Sequence, residues 1–189
     1  MRSIGTLLAL LLLSTGAWAE NGLQRFEREV KPQLELEKLS YSGAESLGDQ
    51  GFILNDVVAV VPASPQTDNK RTTIRIDKVT VDSADFDRFK ASNKDDLPRF
   101  LRMKFEGVTG DEATSRSLAA YGLPKAPADF ALDYKLDPAA KRLTVEKLEI
   151  GLRGLGRIEL SLVIDGVSDK ASEVEDAKDS GRLQSASLT

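Results

Sequence analysis

Apolar side chains recur along this chain in two rhythms. Leu23, Phe26 and Val30 are spaced as on one face of a helix, and Pro32 follows them, so residues 22–31 predict a short leading helix that ends at the proline. From Leu34 onward the period is two, and one template appears four times: apolar, skip one, apolar, skip two, apolar, skip one, apolar. It is carried by Leu34, Leu36, Leu39 and Tyr41; by Phe52, Leu54, Val57 and Ala59; by Ile74, Ile76, Val79 and Val81; and by Leu143, Val145, Leu148 and Ile150. Strand side chains alternate between faces, so the extra residue would throw the second pair onto the wrong face unless the strand bulges or bends there. The template therefore predicts bent strands in a curled sheet, the other reading being a turn between two short strands at each double skip.

Between the third and fourth copies the pattern changes. Phe86 and Phe89 within residues 83–90 allow a helical turn, and Leu101, Met103 and Phe105 alternate with charged residues as in a strand with one wet face. Residues 111–121 read as a helix with Asp111 at its N-cap and Gly122 and Pro124 beyond its end. Residues 129–166 then predict three strands in a meander. Phe130, Leu132 and Tyr134 lie on the first, the fourth template on the second, and Ile158, Leu160, Leu162 and Ile164 on the third; Asp137-Pro138 and Gly151, Gly154 and Gly156 mark the turns. After Gly166 the chain turns polar. Residues 167–189 are expected to form a flexible tail, or an exposed helix in residues 168–182, with Leu183–Thr189 resembling the start of a further strand.

The first nineteen residues stand apart from both rhythms. Arg2 precedes an apolar run of about ten residues, half the length that a bilayer-spanning helix requires, and Ala17-Trp18-Ala19 has the small residues of a cleavage site. This pattern predicts a signal peptide cut near Ala19/Glu20, a periplasmic or secreted product, and no transmembrane anchor after cleavage. The expected organisation is residues 1–19 as signal, 20–166 as one β-rich α+β domain with a curved, mainly antiparallel, bulged sheet and two or three short helices, and 167–189 as the tail.

Composition narrows the chemistry. With 0 His and 0 Cys there is no imidazole-activated nucleophile and no zinc or copper site built on nitrogen or sulfur. A net charge of −4 and 6% aromatic residues argue against nucleic acid as a partner. Acid–base chemistry would fall to carboxylates, with Asp82, Asp85 and Asp87 or Asp95 and Asp96 as the only clusters to consider. Their spacing lacks the glycine and distal glutamate of a calcium loop, so they read as solvated loop residues. Asp129 and Asp133 share the wet face of their strand. The three glycines at 151–156 precede a strand, whereas a phosphate-binding loop opens a helix. Lys94, Arg99, Arg102 and Lys104, beside Phe100, form a basic group at the rim of an apolar face or on the outside of a strand. No catalytic residue, metal or cofactor is expected.

The strand ending Val58-Ala59-Val60-Val61-Pro62, the alternating Ile74–Val81 segment, and Leu132-Asp133-Tyr134 through Leu143 to Gly166 resemble Gram-negative envelope proteins of the AsmA-like type. That resemblance spans roughly residues 34–166 and implies curved sheets that handle lipid between membranes, without a catalytic motif to transfer. The expectation is a non-catalytic envelope protein that shields a hydrophobic ligand such as lipid. Leu143, Val145, Leu148, Ile150, Ile158, Leu160, Leu162 and Ile164 are its candidate ligand-binding face. The alternative is a structural or protein-binding module of the envelope with a closed core, whose partner is another envelope protein.

Overall fold

A computed structural model describes residues 20–65, 69–90, 92, 95–110, 126–176 and 182–188. The expected signal peptide and the expected helix at 111–121 lie outside them. Nine strands form one open antiparallel sheet: β1 (Lys38–Ser40), β2 (Gly43–Leu47), β3 (Gly51–Val61), β4 (Thr72–Ala84), β5 (Phe100–Val108), β6 (Ala128–Asp137), β7 (Arg142–Leu152), β8 (Gly156–Asp165) and β9 (Arg182–Leu188). From β3 to β9 each strand pairs with the next, while β1 and β2 both pair with β3.

The double skips coincide with breaks in the ladder. Asn55 pairs with Lys78 and Val57 with Ile76, leaving Asp56 at φ 50° between them. Aspartate is among the few non-glycine residues that tolerate this region. Opposite the break, β1 and β2 are interrupted at Tyr41–Ser42, where the Ser42 hydroxyl donates to the Asp56 carboxylate at 2.5 Å. The irregularity continues through Asp77 to Gly107, at φ 68°, where β5 bulges against β6 between Phe105 and Val108. In the fourth template, Val145 pairs with Leu162 and Leu148 with Leu160, so Glu146 and Lys147 bulge against Ser161. Extra residues of this kind bend a strand and strengthen its twist, which keeps all four apolar residues of a template on one face. The first copy is different: Leu34 and Leu36 precede β1 and only Leu39 lies in it, because the 3-10 turn Lys31–Gln33 has only just ended.

The leading helical segment covers one end of the apolar face. Its first turn, α1 (Gly22–Arg25), is closed by a capping box in which Asn21 and Gln24 each accept from the other's backbone N–H. The chain then widens into a π turn (Phe26–Val30) and tightens into the 3-10 turn containing Pro32. Phe26 stacks 4.5 Å from Phe52, and Phe52 lies 6.4 Å from Phe86 of a 3-10 turn, Phe86–Arg88. With Leu54, Val57, Val79, Val81 and Ala84 these rings form the buried core, which therefore sits over β3 and β4.

At the other edge, residues 167–189 contribute structure that polarity alone did not suggest. α2 (Ala171–Asp176) follows a stretch bridged to the β4–β5 connection, where Leu97 N–H donates to the Asp169 carbonyl and Ala171 N–H to that of Asp95. β9 pairs along β8, satisfying backbone groups that an edge would leave to water. Gly151 is also not a turn residue: it lies in β7 opposite Arg157, and Gly154 and Gly156 supply the turn's positive φ values.

Candidate functional site

Directly paired residues of antiparallel strands share a face. The register thus defines one continuous row across the sheet: Leu54, Val79, Phe105, Phe130, Ile150 and Ile158. A parallel row runs Phe52, Val81, Met103, Leu132, Leu148 and Leu160. Under the leading helix the first row is closed, with Leu54 2% exposed; at the far end Ile150 is 48% and Ile158 61% exposed. The apolar face outruns its cover.

Where the cover ends there is an open hollow of about 380 Å³ lined by Ile74, Ile76, Met103, Phe105, Val108, Phe130, Ala131, Leu132 and Leu148. That volume is in the usual range of small-molecule sites, whose walls are mostly apolar. The bend at Asp56–Asp77 lets Ile74 and Ile76 line the same hollow as residues from β5 to β7. All eight residues named from the sequence fall on this face as four cross-strand pairs, Leu143–Ile164, Val145–Leu162, Leu148–Leu160 and Ile150–Ile158. Only Leu148 lines the hollow, whose centre is nearer β4–β6. Its other walls come from the third template and from the alternations at 101–105 and 130–134, which were legible as strands but carried no sign that they would converge.

Charged groups lie away from the hollow and pair among themselves. Arg102 meets Asp133 at 2.6 Å, Lys104 meets Glu106 at 2.9 Å, and Lys147 meets Glu149 at 2.7 Å. The Lys147 ammonium holds the Glu149 carboxyl below its ordinary range. Arg99, expected in a basic group, binds the buried Asp85 at 2.7 Å; the hydrogen bond from that carboxylate raises the guanidinium's pKa further. Lys94 lies outside the described residues.

The carboxylate clusters are likewise dispersed. Asp87 accepts from Arg25 and Lys90, both at 2.8 Å, while Asp82 is exposed. Asp95 accepts from the Ser172 N–H at 2.8 Å and its hydroxyl at 2.9 Å, which hold the carboxyl below its usual range. Asp96 pairs with Lys170. Asp129 accepts from Gly107 N–H at 2.7 Å and from Arg153 at 3.0 Å, and the same arginine reaches Asp77 at 3.0 Å. Among the described residues no group of three or more His, Cys, Asp or Glu side chains is placed to hold a metal ion, and no helix is long and apolar enough to cross a membrane. No protein-family model, curated protein or solved structure matches the chain.

Proposed function

We propose that this chain is a non-catalytic protein of the cell envelope, exported to the periplasm, whose curved sheet shields the acyl chain of a lipid. The observation that carries the reading is the row from Leu54 to Ile158, closed by the leading helix at one end and open at the other. Exposed apolar surface that continues a core marks a binding surface far more often than scattered hydrophobic residues do. The hollow's walls contribute apolar side chains alone, so it has no side-chain donor or acceptor to orient a polar ligand and suits a hydrocarbon chain. The signal-like N-terminus and the resemblance to AsmA-like proteins agree with an envelope role.

Native mass spectrometry and organic extraction of the protein purified from periplasm test this reading. Co-purifying lipid, lost on Leu132→Glu, is the expected result. A ligand-free protein that also ignores a fluorescent fatty acid such as cis-parinaric acid would overturn it. Recovery of one stoichiometric protein partner without lipid would favour an interaction module instead, a reading supported by the closed core under the leading helix.

A further inference from the structure

Among the described residues, four large apolar side chains stand exposed, and three of them, Ile150, Leu155 and Ile158, fall within residues 150–158. They occupy the end of β7, the start of β8 and the turn between. Leu155 N–H donates to the Leu152 carbonyl at 3.0 Å, and Gly154 and Gly156 take up the positive φ values of the turn, which leaves Leu155 56% exposed at its apex. The tip is tied down on its flank: Arg153 N–H donates to the Pro127 carbonyl at 3.0 Å, and its guanidinium bridges Asp77 and Asp129. Ile158 pairs with Ile150 and Ile150 with Phe130, a wall of the hollow.

The geometry points to the β7–β8 tip as a membrane-docking element: Leu155 and Ile158 enter the interfacial layer of a lipid bilayer, and the Ile158–Ile150–Phe130 row leads from there into the hollow. This rests on the acyl-chain reading above and names the surface from which the chain would be drawn. The size of the patch selects the partner. A stable protein interface takes about 20–30 residues a side, whereas three apolar side chains on a convex turn fall far short of that and are suited to shallow insertion among headgroups. Charge selects the mode. Arg153 is held by two aspartates, and Lys147 and Arg157 face Glu149, so the tip offers no unbalanced cationic patch to anionic lipid. Docking is therefore apolar, with little dependence on headgroup charge or salt.

Co-flotation of the full chain with phosphatidylcholine vesicles, and with phosphatidylethanolamine–phosphatidylglycerol vesicles, at low and high salt, tests the inference. The parent is expected to float with both at either salt. Leu155→Asp removes a leucine's worth of apolar burial and adds a charge, so it should weaken association by roughly tenfold or more. Leu155→Phe should retain association, and both variants should still bind cis-parinaric acid in solution. A parent that does not float, a Leu155→Asp variant that floats like the parent, or flotation confined to anionic vesicles and abolished by salt would each overturn the docking role. So would loss of flotation in Leu155→Asp accompanied by dissociation of an oligomer, since the tip would then be a contact between copies of the chain. Flotation without cis-parinaric acid uptake removes the acyl-chain reading and leaves the docking role standing; uptake without flotation does the reverse.

Discussion

Replacing Gly107 by alanine tests the bend that forms the hollow. Gly107 sits at φ 68° in the β5 bulge, and a Cβ built there would lie 1.9 Å from Asp77 Oδ2 and 3.0 Å from Arg153 Nη2. Two costs add. The left-handed backbone disfavours any Cβ by about 1–2 kcal/mol, and the Asp77 carboxylate must swing away, breaking its contact with Arg153. Gly154 separates the two, because it has φ 81° in the β7–β8 turn and nothing within 4 Å of its Cβ position. Gly154→Ala is therefore expected to lower the unfolding free energy by about 1 kcal/mol. Gly107→Ala should lower it by about 2–3 kcal/mol, the excess being the crowding. Urea denaturation followed by circular dichroism, with Cm compared at constant m, gives both values. In an Asp77→Ala background the excess at Gly107 should shrink to the Gly154 level. Equal losses at the two glycines, or an excess that survives removal of the Asp77 side chain, would refute the view that Asp77 crowds the bulge.

Three further outcomes are expected. Phe86 is 2% exposed at the centre of the aromatic cluster, so Phe86→Ala should cost about 3–5 kcal/mol in the same urea assay. Burial, with the Asp85 charge in addition, pushes the Tyr134 phenol up to about 12 from an ordinary value of 10.0. Its raised folded pKa contributes stability that is intact below pH 10.0 and lost as pH rises through about 12, and Tyr134→Phe should remove that portion of the alkaline loss in thermal melts. Asp95→Ala takes away the acceptor for the Ser172 N–H and hydroxyl, and faster amide exchange at Leu97 and Ala171 is expected in hydrogen-exchange mass spectrometry.

Much of the architecture was legible because strand periodicity is local. A double skip at Asn55–Asp56 or Glu146–Lys147 has to be absorbed where it occurs if Leu54 and Val57, or Val145 and Leu148, are to share a face, and the structure absorbs it there with a bend or a bulge. The helical spacing of Leu23, Phe26 and Val30 likewise identified the stripe that packs on the sheet. The first template misled because the same spacing also fits a 3-10 turn running into a short strand. The charged candidates were legible as residues but not as partners. That Asp87 belongs with Arg25, or Asp129 with Arg153, depends on elements brought together from distant parts of the chain.

By itself the sequence determined the strands, where they bend, and which side of each is apolar. Only the tertiary structure decided which part of that side is closed and which is open. Phe52-Leu54 and Leu148-Ile150 occupy rows of the same sheet with the same spacing, yet Leu54 is buried and Ile150 half exposed, because Gly22 lets the helix begin against Gly51 and so places Phe26 over one end alone. Periodicity reports the direction in which a side chain points; what it meets there is set by the path of the rest of the chain.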